Sequence, residues 1–205
     1  MFENGATPYS DKPFLTNLIK EHCPRGGRAL DIGAGYGRDT LFMASELGCQ
    51  VTAVEPTISG SKAISKAASP KVKVLGVAAS EIPWTAGEKY DFILMDSVLQ
   101  FIPESERGGV ITNATQHLTS KGVCLIASHS DEHSSLVLPL LDLLPVVVKE
   151  GERTIAVPFE MEWEGESFEA AFHVVLVRRG GDGGGRGSSN IEDLQPISNS
   201  LPQIL

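Results

Sequence analysis

Residues 29–56 read ALDIGAGYGRDTLFMASELGCQVTAVEP, and this stretch decides the fold. ALDI is a short apolar run of strand type, and G-A-G-Y-G, from Gly33 to Gly37, is a glycine-rich turn. RDTLFMASEL has helix length and is closed by Gly48, after which QVTAV forms a second strand-type run. Strand, glycine turn, helix and strand make the repeating unit of a parallel sheet covered by helices. Such a turn gathers backbone N–H groups and a helix N-terminus at the carboxyl edge of the sheet, where anionic groups and nucleosides bind.

The glycines fall as G-x-G-x-G, and Arg38 stands where the dinucleotide pattern G-x-G-x-x-G needs its third glycine. Glu55 ends the second strand, 18 residues after Gly37, which is about one helix plus one strand. A carboxylate there accepts two hydrogen bonds from a ribose diol. Taken singly, the glycines make a tight turn and the acid is a solvated strand end; in register, they point to a cofactor carrying a nucleoside.

The same alternation continues on both sides. PFLTNLIKEHC carries Phe14, Leu15, Leu18, Ile19 and His22 at helical spacing and predicts a first helix. TISGSKAISKAAS predicts a crossover helix weakened by Gly60, KVKVLGVAA a third strand and YDFILMD a fourth. PESERGGVITNATQHL predicts a helix, SKG a turn, VCLIAS a fifth strand and SSLVLPLLDLL a further helix containing Pro139. From Pro145 the segments VVVKEGE, TIAVPFEMEWEGE and SFEAAFHVVLVRR show alternation, with turn signals between them, and predict an antiparallel end to the sheet. Residues 1–179 are therefore expected to form one domain, with the glycine-rich 180–205 as a flexible tail.

Seventeen Lys and Arg against 26 Asp and Glu give a net charge of -9, a field that repels phosphate backbones and anionic lipid surfaces. This disfavours a nucleic-acid partner, and no segment has the roughly 18 apolar residues of a membrane span. Cys23, Cys49 and Cys124 are an odd number without CxxC spacing, which suits buried free thiols in a cytoplasmic protein. Nothing in the sequence sets an oligomeric state.

ALDIGAGYG, VTAVEP, YDFILMDSVLQFIP and LTSKGVCLIAS resemble, in order and spacing, the first, second, post-fourth-strand and fifth-strand motifs of the class I S-adenosylmethionine-dependent methyltransferases. The resemblance covers about residues 29–128. GYGRDTLFMASELGCQVTAVE and SVLQFIP are further similar to the small tellurite-resistance-like and general small-molecule branch. It implies a Rossmann-like, doubly wound, mostly parallel seven-stranded sheet with an antiparallel C-terminal hairpin, S-adenosylmethionine as cofactor, and methyl transfer to a small molecule.

Carried onto this chain, the resemblance assigns Gly33, Ala34, Gly35 and Gly37 to the cofactor's methionine and sugar, with Asp31 beneath the turn near the amino group. Glu55 would bind the ribose hydroxyls, Pro56 would line the adenine, and Asp96 would close the pocket beside the methionine and face the acceptor. Many relatives have an acid after the third strand for the adenine amino group; here Ala79 and Ser80 occupy that place, leaving backbone, the Ser80 hydroxyl or Glu81.

Attack on a sulfonium methyl group needs an in-line lone pair, so positioning and desolvation suffice for many acceptors. His129 and His133, in SHSDEHSS after the fifth strand, are candidate bases, against a reading of that stretch as a polar capping loop. With Asp131 and Glu132 they make a His, acid and His cluster that also suggests a metal site, but two His four apart outside an established helix assign no metal. Gln100 and Phe101 follow the fourth strand; Phe101 is expected in the core, with a place facing the acceptor as its alternative. Phe159, Met161 and Trp163 alternate with Glu160, Glu162 and Glu164. An acidic face there would favour a cationic acceptor such as an amine. Two rival readings are a noncatalytic subunit keeping the fold and a nucleotide-dependent dehydrogenase, the latter opposed by the glycine spacing.

Overall fold

The computed structural model describes residues 12–129, 147–163 and 166–179. Strands β1 (Arg28–Ile32), β2 (Gln50–Val54), β3 (Val72–Leu75), β4 (Tyr90–Asp96), β5 (Leu118–His129), β6 (Val147–Trp163) and β7 (Glu166–Arg179) form one sheet. Its order is β3-β2-β1-β4-β5-β7-β6. The first five strands are mutually parallel, and β7 runs antiparallel to both β5 and β6. Helix α1 (Pro13–His22) precedes β1, and α2 (Arg38–Ser45), α3 (Ile58–Ala67) and α4 (Glu104–Gln116) lie between strands in sequence.

The parity of each strand divides the core. Ala29, Phe92, Leu94, Val123, Leu125, Val174 and Leu176 face Leu15, Leu18 and Ile19 of α1 and Met43 and Ala44 of α2. Leu30, Ile32, Ile93, Met95, Cys124, Ile126 and Val175 face Val110, Ile111 and Ala114 of α4. Strands buried on both sides read as near-continuous apolar runs, which is why ALDI and FILM showed little alternation. Asp31 and Asp96 share the parity of Ala29 and Leu94, so both carboxylates belong to the α1/α2 face.

Two expected turns are absent. The LTSKG stretch is already part of β5: Tyr90 pairs with Leu118 and Phe92 with Val123, and the intervening residues are taken up as a register break. A side chain at Gly122 would approach the Tyr90 carbonyl oxygen to 2.8 Å, so the irregularity tolerates only glycine without a shift. Likewise no turn separates VVVKEGE from TIAVPFEMEWEGE within β6. Lys149 pairs with Val177 and Gly151 with Leu176, which leaves one extra residue as a bulge inside a continuous β6. Pro158 sits in that strand because β6 is the sheet's edge. The expected helix at 134–144, the tail 180–205, and His133 lie outside the described residues.

Candidate functional site

The glycine turn leaves β1 with positive φ at Gly33 (79°), Gly35 (57°) and Gly37 (90°). The N–H groups of Gly33 and Ala34 both donate to the Val54 carbonyl of β2, each at 2.9 Å. Gly37 then begins α2; a side chain there would meet Ile64 of α3 at 2.7 Å, on top of the strain of a left-handed backbone.

Glu55, 5 % exposed, holds this turn in place. Its Oε2 accepts from the Gly35 N–H at 2.8 Å and its Oε1 from the Thr57 N–H at 2.9 Å. Each carboxylate oxygen carries a second lone pair, so the group retains acceptor capacity for a diol. Among the described residues no atom lies within 4 Å of the position where Gly35 would carry a side chain, which gives a closely fitted ligand room at the turn. Gly60 in α3 is equally constrained: a side chain there would run into the Gly35 carbonyl oxygen and reach Glu55 Cγ at 2.7 Å. The glycine that weakens the helix pattern is what lets α3 pack on the turn.

On the α4 face, Gly33, Val54, Pro56, Ala78, Ala79, Ser80, Val98, Phe101, Ile102 and Pro103 enclose a cleft of about 90 Å³. Pro56, Ala79 and Ser80 thus lie together, whereas the Glu81 carboxylate accepts from the Ala78 N–H at 3.2 Å. Phe101 is not in the core. It lines this cleft while 81 % exposed, because the chain turns back to Pro103 and α4 before its ring can reach the sheet.

On the α1/α2 face a cluster of charges occupies the same edge. Lys12 Nζ donates to both Asp96 oxygens at 2.8 Å and to Ser97 Oγ at 3.3 Å. Arg38 donates to both oxygens of Asp39, at 2.9 and 2.6 Å, and to Asp96 Oδ2 at 3.2 Å. Asp31 is buried beneath the turn and accepts from Thr40 Oγ1 at 2.6 Å. Burial, with the Asp39 carboxylate beside it, raises the Asp31 pKa to about 7, against the lowering effect of the Thr40 hydroxyl. Ser97, directly after Asp96, has φ of 52°, and such strain in a non-glycine residue is often kept at functional positions.

Lys12 was missed in the sequence, and Arg38 was noted only as a missing glycine. His129 is the last residue of β5, opposite Phe172 of β7 and at the same edge as Asp96. Among the described residues no group of three His, Cys, Asp or Glu is arranged to hold a metal ion. No described helix is long and apolar enough to cross a membrane.

Residues 29–122 match the family described as "Methyltransferase domain". Over this stretch the chain is similar to a methyltransferase domain. A TehB-like SAM-dependent methyltransferase from Corynebacterium glutamicum is similar at 18 % identity, with a TM-score of 0.61 over 85 % of this chain and 90 % of that one. Coclaurine N-methyltransferase, bound to N-methylheliamine and SAH, is similar at 16 % identity, with a TM-score of 0.64 over 87 % of this chain and 76 % of that one. The 1,6-didemethyltoxoflavin-N1-methyltransferase of Burkholderia thailandensis gives 17 %, 0.62, 85 % and 80 %. No curated protein matches the chain by sequence. At the carboxyl edge of the sheet the glycine turn, Glu55 and the apolar cleft form one half of the candidate site, and the Asp31–Arg38–Asp96–Lys12 cluster forms the other.

Proposed function

We propose that the chain transfers the methyl group of S-adenosylmethionine to a nitrogen of a small, largely apolar molecule. The observation that carries the cofactor assignment is the Glu55 carboxylate fixed against the Gly35 N–H, which presents an acceptor pair beside an open glycine turn. Glu55 takes the ribose hydroxyls, Pro56, Ala79 and Ser80 border the adenine, and Asp31 and Asp96 lie toward the methionyl end. Bound S-adenosylmethionine supplies an electrophilic methyl group; the chain's own residues orient it and keep water away.

Three considerations support a nitrogen acceptor. Among the described residues the exposed large apolar side chains, Tyr36, Ile58 and Phe101, all follow the carboxyl ends of β1, β2 and β4. Exposed apolar groups gathered at one edge mark a binding surface. The net charge of -9 draws in a protonated amine from solution, while the apolar side chains at this edge favour the uncharged form that carries the lone pair. Two structural neighbours are named as nitrogen methyltransferases.

We assign no obligatory base, because a neutral amine needs none; His129 is the candidate where the acceptor must lose its proton first. We place the catalytic unit at residues 1–179 and the protein in the cytoplasm, in keeping with three free thiols. The test is release of S-adenosylhomocysteine with a panel of amines, phenols, thiols and phosphorylated compounds. Turnover confined to amines supports the reading; turnover confined to anionic acceptors overturns it.

A further inference from the structure

We propose that Lys12 is a positioning residue for the methionyl end of the cofactor, acting through Asp96. The inference rests on the reading of this edge as an S-adenosylmethionine site. Lys12 is 4 % exposed and joins three parts of the fold. Its carbonyl oxygen accepts the first α1 hydrogen bonds, from Leu15 at 3.0 Å and Thr16 at 3.2 Å. Its ammonium contacts both oxygens of Asp96 at the end of β4 and lies 4.6 Å from the centre of the Phe172 ring of β7.

An ammonium stripped of water keeps its place only where anionic and aromatic partners replace that water. With Lys12 on both oxygens and Arg38 on one, the Asp96 carboxylate has one fixed orientation. The ring of Phe172 and the left-handed Ser97 allow the ion pair little freedom to rearrange. Without Lys12, Asp96 would keep the long 3.2 Å contact to a guanidinium already paired with Asp39 and the Ser97 hydroxyl at 3.0 Å, but it would lose the ammonium that bridges its two oxygens and would be freer to turn toward water. Asp96 belongs to the α1/α2 face, whereas Pro56, Ala79 and Ser80 border the cleft on the α4 face. A change at Lys12 therefore acts on one end of the cofactor and spares the adenosine end.

The experiment compares S-adenosylhomocysteine with 5′-methylthioadenosine, which has the same adenosine and thioether but no amino-acid portion. Both are titrated calorimetrically into the full chain as wild type, Lys12→Met and Lys12→Arg. Lys12→Met is expected to weaken S-adenosylhomocysteine by about tenfold or more. It should leave methylthioadenosine within about twofold, as for well-separated groups. Lys12→Arg restores most of the loss. Asp96→Asn, which keeps the shape of the side chain, should show the same selective loss and serves as the test if Lys12→Met does not fold. Equal weakening of both nucleosides, or unchanged S-adenosylhomocysteine affinity in Lys12→Met, overturns the proposal. A wild-type chain that binds neither nucleoside overturns the cofactor reading beneath it.

Discussion

The Gly35 N–H donates to Glu55 Oε2 at 2.8 Å, tying the middle of the glycine turn to the end of the neighbouring strand. Glu55 thereby shapes the turn, and in the proposed function the same carboxylate receives the ribose. Glu55→Ala is expected to cost about 1.5–3 kcal/mol of S-adenosylmethionine affinity, the value of a charge-assisted pair of hydrogen bonds. Glu55→Gln, which keeps one acceptor, should fall between the variant and wild type. Calorimetric titration of folded protein measures both.

Asp31 makes stability depend on pH. Its pKa is raised from the ordinary 3.8 to about 7 in the folded chain by burial and by Asp39. Between these values the folded state holds a proton that the unfolded state has released, so stability from this group is full below pH 3.8 and declines as pH rises toward about 7. Asp31→Asn, which stays neutral, should flatten that decline. Melting temperatures of wild type and variant from pH 5 to pH 8 check the sign; parallel curves would contradict it.

Much of this arrangement was legible in the sequence, and its limits follow from separation along the chain. The glycine turn, Glu55 and the first two strands are local: each is fixed by residues within one βαβ unit, so spacing alone places them. Lys12 and Asp96 are 84 residues apart and Arg38 and Asp96 are 58 apart. No periodicity reports that such residues meet. Gly60 read as a weak point because helix propensity sees only its own helix, whereas its reason is the contact with Gly35 and Glu55. The break between VVVKEGE and TIAVPFEMEWEGE read as a turn because bulges and turns use similar residues, and only the partner strand shows a bulge beside Gly151. Phe101 misled because apolarity predicts burial, and a binding edge is where that rule fails.

Phe101 should then be expendable for folding. At 81 % exposure, Phe101→Ala is expected to shift stability by no more than about 0.5 kcal/mol, as at ordinary surface positions. The same change should raise KM for an accepted amine. A large fall in melting temperature would place the ring in the core after all.

The cysteines are expected to be inert. Cys23 and Cys49 lie with their sulfurs 3.6 Å apart, and all three thiols are free and buried. Burial raises the Cys23 pKa, with Cys49 adding to the effect, and pushes Cys124 up to about 12. Thiolate, the reactive form, is therefore scarce. An aromatic disulfide reagent should find no reactive thiol in the native chain and 3 after denaturation.

The central claim is that the turn and Glu55 hold S-adenosylmethionine and not a dinucleotide. Parallel calorimetric titrations of the full chain with S-adenosylmethionine and NAD test it most directly. The account predicts saturable binding of S-adenosylmethionine, weakened in Glu55→Ala, and no heat of binding with NAD. Binding of NAD alone, or S-adenosylmethionine affinity untouched in a folded Glu55→Ala variant, would contradict it.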